Sequence, residues 1–180
     1  MDDHYCRALV NKCLNGETDA FDELVNHHQF AMYNTVFQIV GDGDDARDVT
    51  QAAFIKAWEN LHTYDTKYRF FSWLYRIMVN EALNMVRSRR VHYELKLVNE
   101  QSDPADSELM VSEQNSDLSR AIDRLTPEYK AVIVMRHFED LSYKEMADVL
   151  NIDEKTVKSR LYSARIKLRD ALTRRMGGVV

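Results

Sequence analysis

The chain is poor in residues that break helices or staple loops. Its 180 residues include two Pro, five Gly and two Cys. So little Pro and Gly argues against a turn-dense β fold and leaves long helices as the expected architecture. Two cysteines cannot build a disulfide framework. Cys6 and Cys13 fall on apolar positions of one helix, which suits a reducing cytoplasm. No apolar run approaches the ~20 residues needed to cross a bilayer. The opening Met1-Asp2-Asp3-His4 is acidic with no apolar stretch behind it, which predicts no signal peptide. Catalytic signatures are also missing: there is no Gly-rich phosphate loop and no nucleophile motif. Asp42-Gly43-Asp44-Asp45 begins like a calcium loop, but Ala46 and Arg47 stand where a ligand and a glycine are needed. His27 and His28 are adjacent, so their rings diverge on a helix. Cys6 and Cys13 lie two turns apart, too far for one metal site. We therefore expect no enzyme, no cofactor and no metal.

What is present is a globular composition, 45% hydrophobic and 29% charged, with a net charge of −5 distributed unevenly. Lys67 to Arg90 carries six basic residues and only Glu81. Residues 91–118 carry one basic residue against seven acidic ones. Glu154 to Arg175 carries eight basic residues against Glu154 and Asp170. Two basic stripes thus flank an acidic middle. Such stripes are the electrostatic footprint of nucleic-acid binding, although a solvated helix face carries the same charges.

Helical periodicity predicts an all-α protein without a sheet. Cys6, Leu9, Val10 and Cys13 form one stripe, ended by Gly16. Thr18 or Asp19 caps a second helix that runs to Gly41. A third covers about Asp45 to Leu61, and a fourth about Phe70 to Arg90. Residues 1–91 then form one domain. Residues 92–117 are acidic, polar and weakly periodic, and read as a linker. Residues 118–180 form a second helical domain, in which Thr126-Pro127 opens one helix. Ser142 and Glu145 make a capping box for the next, a short helix ending near Leu150. Asn151 tolerates the left-handed turn and Asp153 caps a longer basic helix. A short helix, a three-residue turn and a basic helix make a helix-turn-helix.

With Val157 inward, Leu161, Ala164 and Leu168 share the inner face of that last helix. Lys155, Ser159 and Tyr162 point outward, with Lys158 and Ser163 beside them, a set that suits a major groove. Arg160 and Arg165 flank it as phosphate ligands. A plain helical hairpin with a solvated basic face would share the geometry. The same projection of the fourth helix aligns Trp73, Arg76, Asn80, Asn84 and Arg87. Amides for base edges, guanidiniums for phosphates and an indole for stacking suit single-stranded nucleic acid. Tyr64, Lys67 and Arg69 extend this mixture upstream. Trp73 could equally fill a core. On the third helix, Phe54, Ile55 and Trp58 widen the apolar arc beyond one core, with Asp45 and Asp48 around it. That arc is either a partner surface or a broad buried face.

In this order, the motifs resemble the extracytoplasmic-function group of bacterial sigma factors. The stretch from Asp45 through Gln51 and Phe54 to Trp58 is similar to the family's helix for core RNA polymerase. It has Ala52 where the family usually places Glu after its Gln. Phe71 to Asn80 resembles the promoter-melting and −10 motif. Leu150 to Leu161 resembles the −35 recognition helix, with Asn151 where the turn often has Gly. The resemblance implies a σ2-like bundle and a σ4-like helix-turn-helix joined by the acidic linker. It assigns Asp45, Asp48, Gln51, Phe54, Ile55 and Trp58 to core polymerase. Tyr64, Lys67, Arg69, Trp73, Arg76, Asn80, Asn84 and Arg87 would hold single-stranded −10 DNA. Lys155, Lys158, Ser159, Arg160, Tyr162, Ser163 and Arg165 would face duplex −35 DNA. An anti-sigma protein, a cytoplasmic location and no membrane insertion are further implied. A stand-alone helix-turn-helix regulator is the competing expectation.

Overall fold

The computed structural model describes residues 3–99 and 117–176. Among them there is no strand. The helices are α1 (Asp3–Leu14), α2 (Asp19–Val40), α3 (Gly43–Glu59), α4 (Phe70–Asn99), α5 (Asp117–Asp123), α6 (Pro127–His137), α7 (Tyr143–Leu150) and α8 (Glu154–Met176). A 3-10 turn, Leu61–Thr63, follows α3. None of the described helices is long and apolar enough to cross a membrane.

Local chemistry sets the boundaries. Gly41 ends α2 in the left-handed region, φ 81°, and its N–H donates to the Phe37 carbonyl. The Asp42 carboxylate then accepts from the N–H groups of Asp44 and Asp45 at 3.0 and 2.9 Å and starts α3. Neither Thr18 nor Thr126 makes a side-chain cap bond, so α2 and α6 begin without that contribution. The start of α4 is secured from a distance: the Phe70 N–H donates to the Asp3 carboxylate at 3.1 Å. That helix extends nine residues past the expected stop at Arg90, through Asn99. Residues 91–98 contain neither Gly nor Pro, so nothing local breaks the hydrogen-bond ladder there. The rest of the expected linker, residues 100–116, lies outside the described residues.

Helices α1 to α4 pack around Leu24, Met32, Val36, Ile39, Phe70, Leu74 and Met78, all almost fully buried. Ion pairs tie α3 to α4: Lys56 meets Glu81 at 2.6 Å and Asp45 meets Arg89. Helices α6 to α8 enclose Ala131, Met135, Met146, Val157, Leu161 and Ala164. The two units also pack on each other, α7 and α6 against α4 and α6 against α2.

Candidate nucleic-acid and partner interface

The helix-turn-helix forms as the residues dictate. The Ser142 hydroxyl accepts from the Glu145 N–H at 3.2 Å, and the Ser142 N–H donates to the Glu145 carboxylate at 2.9 Å. Burial opposes the Glu145 charge, but the Ser142 bonds and nearby Arg69 hold its carboxyl below the usual range. Asn151 turns the chain at φ 52°, ψ 49°. The Asp153 carboxylate accepts from the Thr156 N–H at 2.7 Å and starts α8. Val157, Leu161 and Ala164 are buried, while Lys155, Lys158, Ser159, Tyr162 and Arg165 are exposed. Arg160 and Ser163 are half-buried at the edges of this outward face. The Lys158 ammonium sits 5.4 Å from the centre of the Tyr143 ring, which braces it on the outward side. Arg165 approaches His137 at 3.3 Å.

The fourth-helix stripe is present with one exception. Arg76, Asn80, Asn84 and Arg87 are exposed along one face. Trp73 is not: only 8% of it is accessible, as is only 8% of Tyr64. The two rings lie 5.6 Å apart and each packs on Phe70, at 5.7 and 5.5 Å. The Tyr64 hydroxyl donates to the Tyr68 carbonyl at 2.8 Å, which pins the loop. A helical projection fixes direction but not what an upstream loop folds over it. Tyr64 and Trp73 are therefore the buried base of the loop rather than free platforms. Lys67, Tyr68 and Arg69 stand exposed above them.

The wide apolar arc of α3 lines a groove with α2. This cavity of about 700 Å³ is lined by Phe21, Phe30, Tyr33, Phe54, Ile55 and Trp58, among others. Phe54 is buried, which for this residue favours the broad buried face over the partner surface. Phe54 follows Ala53 on the inner side and turns toward α2. Ile55 and Trp58 remain 53% and 40% exposed. Trp58 sits edge-on to Phe21 at 5.0 Å. Gln51 lines the groove, Asp48 is exposed, and Asp45 is engaged with Arg89 instead of free at the rim. Sequence reasoning missed the α2 wall. Phe30 is 75% exposed and falls off the inward stripe of Leu24, Met32 and Val36. An aromatic residue outside an apolar stripe was the available signal.

Two buried polar groups were also missed. His28 lies 3.8 Å from the Cys6 sulfur, and burial lowers its pKa to about 4, so it is neutral in the core. Tyr75 is fully buried, and its hydroxyl sits near Thr35 without a hydrogen bond of good geometry.

A bundle with an exposed amide–guanidinium face, followed by a helix-turn-helix, has the chemistry of a nucleic-acid-binding arrangement. Family models agree: sigma-70 region 2 matches residues 24–91, and sigma-70 region 4 matches residues 116–168. The extracytoplasmic-function (ECF) sigma factor SigW of Bacillus subtilis is 28% identical over 180 residues, covering 92% of this chain and 96% of that protein. The ECF sigma-E factor of Escherichia coli K12 is 33% identical over 172 residues, covering 88% and 90%. The solved structure of CnrH, in complex with the cytosolic domain of CnrY, matches with a TM-score of 0.69 at 27% identity, covering 94% and 97%.

The chain belongs to the ECF RNA polymerase sigma factors. Its function is to direct core RNA polymerase to promoters. The match of residues 24–91 to region 2 leaves the stand-alone regulator without support.

Proposed function

We propose that three surfaces divide the work of initiation. The α2–α3 groove docks core polymerase. The exposed face of α4, with the loop at Lys67–Arg69, holds the single-stranded −10 element. The outward face of α8 reads the duplex −35 element. The reading rests chiefly on Arg76, Asn80, Asn84 and Arg87, which are exposed at helical spacing on a helix whose other side is core. Amides at Asn80 and Asn84 pair with base edges, and the arginines hold phosphates. Melting trades base stacking for protein contacts, at a few kcal/mol per extruded base. The buried pair Tyr64–Trp73 gives the loop a rigid base, so less is spent on ordering it when DNA binds.

The protein works without catalytic groups of its own and in the cytoplasm, where its polymerase is. A restraining anti-sigma protein belongs to this reading; CnrH, a structural relative, was solved with a protein partner, the cytosolic domain of CnrY. Run-off transcription with core polymerase and a cognate promoter tests the assignment. Asn80→Ala is expected to lower discrimination between promoters while polymerase binding stays intact. Loss of polymerase binding in that variant would move Asn80 to a different surface.

A further inference from the structure

Helix α4 begins where the Lys67–Arg69 loop ends, and the residue at that junction cannot cap it. The Arg69 carbonyl accepts from the Trp73 N–H at 3.2 Å, so Arg69 stands at the N-cap. An N-cap side chain normally offers an oxygen to the orphan N–H groups of the first turn. A guanidinium only donates, and Arg69 is exposed beside Lys67. The missing acceptor comes from α1, 67 residues away in the chain. One oxygen of the Asp3 carboxylate accepts from the Phe70 N–H at 3.1 Å, and the other pairs with Arg7 at 2.8 Å. Phe70 is the hub of the loop's base: Tyr64, Trp73 and His28 all pack on its ring. Arg7 also reaches the loop. Burial raises the Tyr64 pKa, and Arg7 beside it opposes that rise. Arg7 and Thr66 line one small cavity of about 410 Å³. Helix α1 thus meets the loop at Tyr64, Thr66 and Phe70. Between these points the loop ties itself together, with the Lys67 N–H donating to the Asp65 carboxylate at 2.9 Å.

We propose that Asp3 is a positioning residue for promoter opening: its carboxylate, steered by Arg7, fixes the shape in which the Lys67–Arg69 loop receives the displaced strand. The proposal rests on reading that loop as a DNA surface and adds what sets its shape. Two demands meet at position 69. The strand needs a cation there, and the helix needs an acceptor. An aspartate in place of Arg69 would cap α4 but present like charge to the phosphates. Asp3 resolves the conflict from α1. It supplies the acceptor and puts negative charge at the positive end of α4. Its side chain is only 27% exposed and is held by Arg7, so it offers little repulsion to a strand lying on the loop. Without Asp3 the Phe70 N–H would be a donor without an acceptor at a fully buried residue, and the chain around it would shift to find one. Phe70 carries Tyr64 and Trp73 with it, so Lys67 and Arg69 would lose their fixed spacing. A loop that is competent for only a fraction of the time binds more weakly by that fraction.

The test uses the full chain with core RNA polymerase. The template is a duplex promoter selected in vitro by the wild-type holoenzyme from a random-sequence pool. Thermal melts first fix a temperature at which every variant is folded. Asp3→Ala should then lower run-off transcription by roughly fivefold, the order of one lost helix cap, with affinity for core polymerase unchanged. Asp3→Asn keeps an acceptor oxygen and should recover most of that loss. Cys13→Ala removes a buried group from the far end of α1 and should transcribe as the wild type does. Full activity in Asp3→Ala, or no recovery in Asp3→Asn, overturns the proposal. A loss in Cys13→Ala as large as that in Asp3→Ala also overturns it, because the effect is then one of stability alone. Lys67→Ala with Arg69→Ala tests the underlying reading separately. If that pair transcribes as the wild type does, the loop is not a DNA surface and the proposal falls with that reading. If the pair is impaired and Asp3→Ala is not, the reading stands and the positioning role alone is overturned.

Discussion

Ile55 offers the cleanest measure of the polymerase groove. It is 53% exposed, so about half of its side chain is left to bury on a partner. Ile55→Ala removes three carbons, each worth ~0.8 kcal/mol when fully buried. About half of that burial already exists before docking, so the substitution should weaken binding by roughly 1.3 kcal/mol, close to tenfold in Kd. The assay is fluorescence polarisation of labelled protein titrated with core polymerase, paired with a thermal melt of the free variant. By the same arithmetic the half already buried should cost the free variant about 1 kcal/mol of stability, which the melt checks. Trp58→Ala is a poorer probe, because Trp58 packs on Phe21 and its loss disturbs the groove itself. An affinity for polymerase unchanged within about twofold would refute the assignment of this groove.

Three further outcomes are expected. Tyr75→Phe removes a fully buried hydroxyl without a hydrogen bond of good geometry, and should stabilise the protein by about 1 kcal/mol, seen as a melting point ~2–4 °C higher. A lower melting point would mean that the hydroxyl has a partner after all. Ser142→Ala deletes half of the capping box and should lower the denaturation midpoint by about 1 kcal/mol of stability, with −35 duplex binding falling in parallel. Burial raises the Glu139 pKa despite its bond from Thr35, so its contribution is fully favourable only below the ordinary carboxylate range and is lost as pH rises through the raised value. Glu139→Gln should therefore be more stable than the wild type at neutral pH in thermal melts, and the two should converge as pH falls. A gap that widened toward acid pH would reverse the sign of this argument.

The helix-turn-helix was legible because its determinants are local. A capping box, a residue tolerant of the left-handed turn and an aspartate before the second helix specify two helices and the angle between them. The groove was half legible. The excess apolar arc at Ile55 and Trp58 was visible along α3, but Phe30 and Tyr33 come from α2, and no spacing rule joins the two. The burial of Tyr64, and of Trp73, which the spacing left open between core and surface, was hidden for a related reason. Their burial depends on a loop folding back over the start of α4, and periodicity within the helix carries no record of it. The extension of α4 to Asn99 shows the limit of compositional reading. Acidic, polar residues marked a linker, yet without Gly or Pro the backbone continued as a helix.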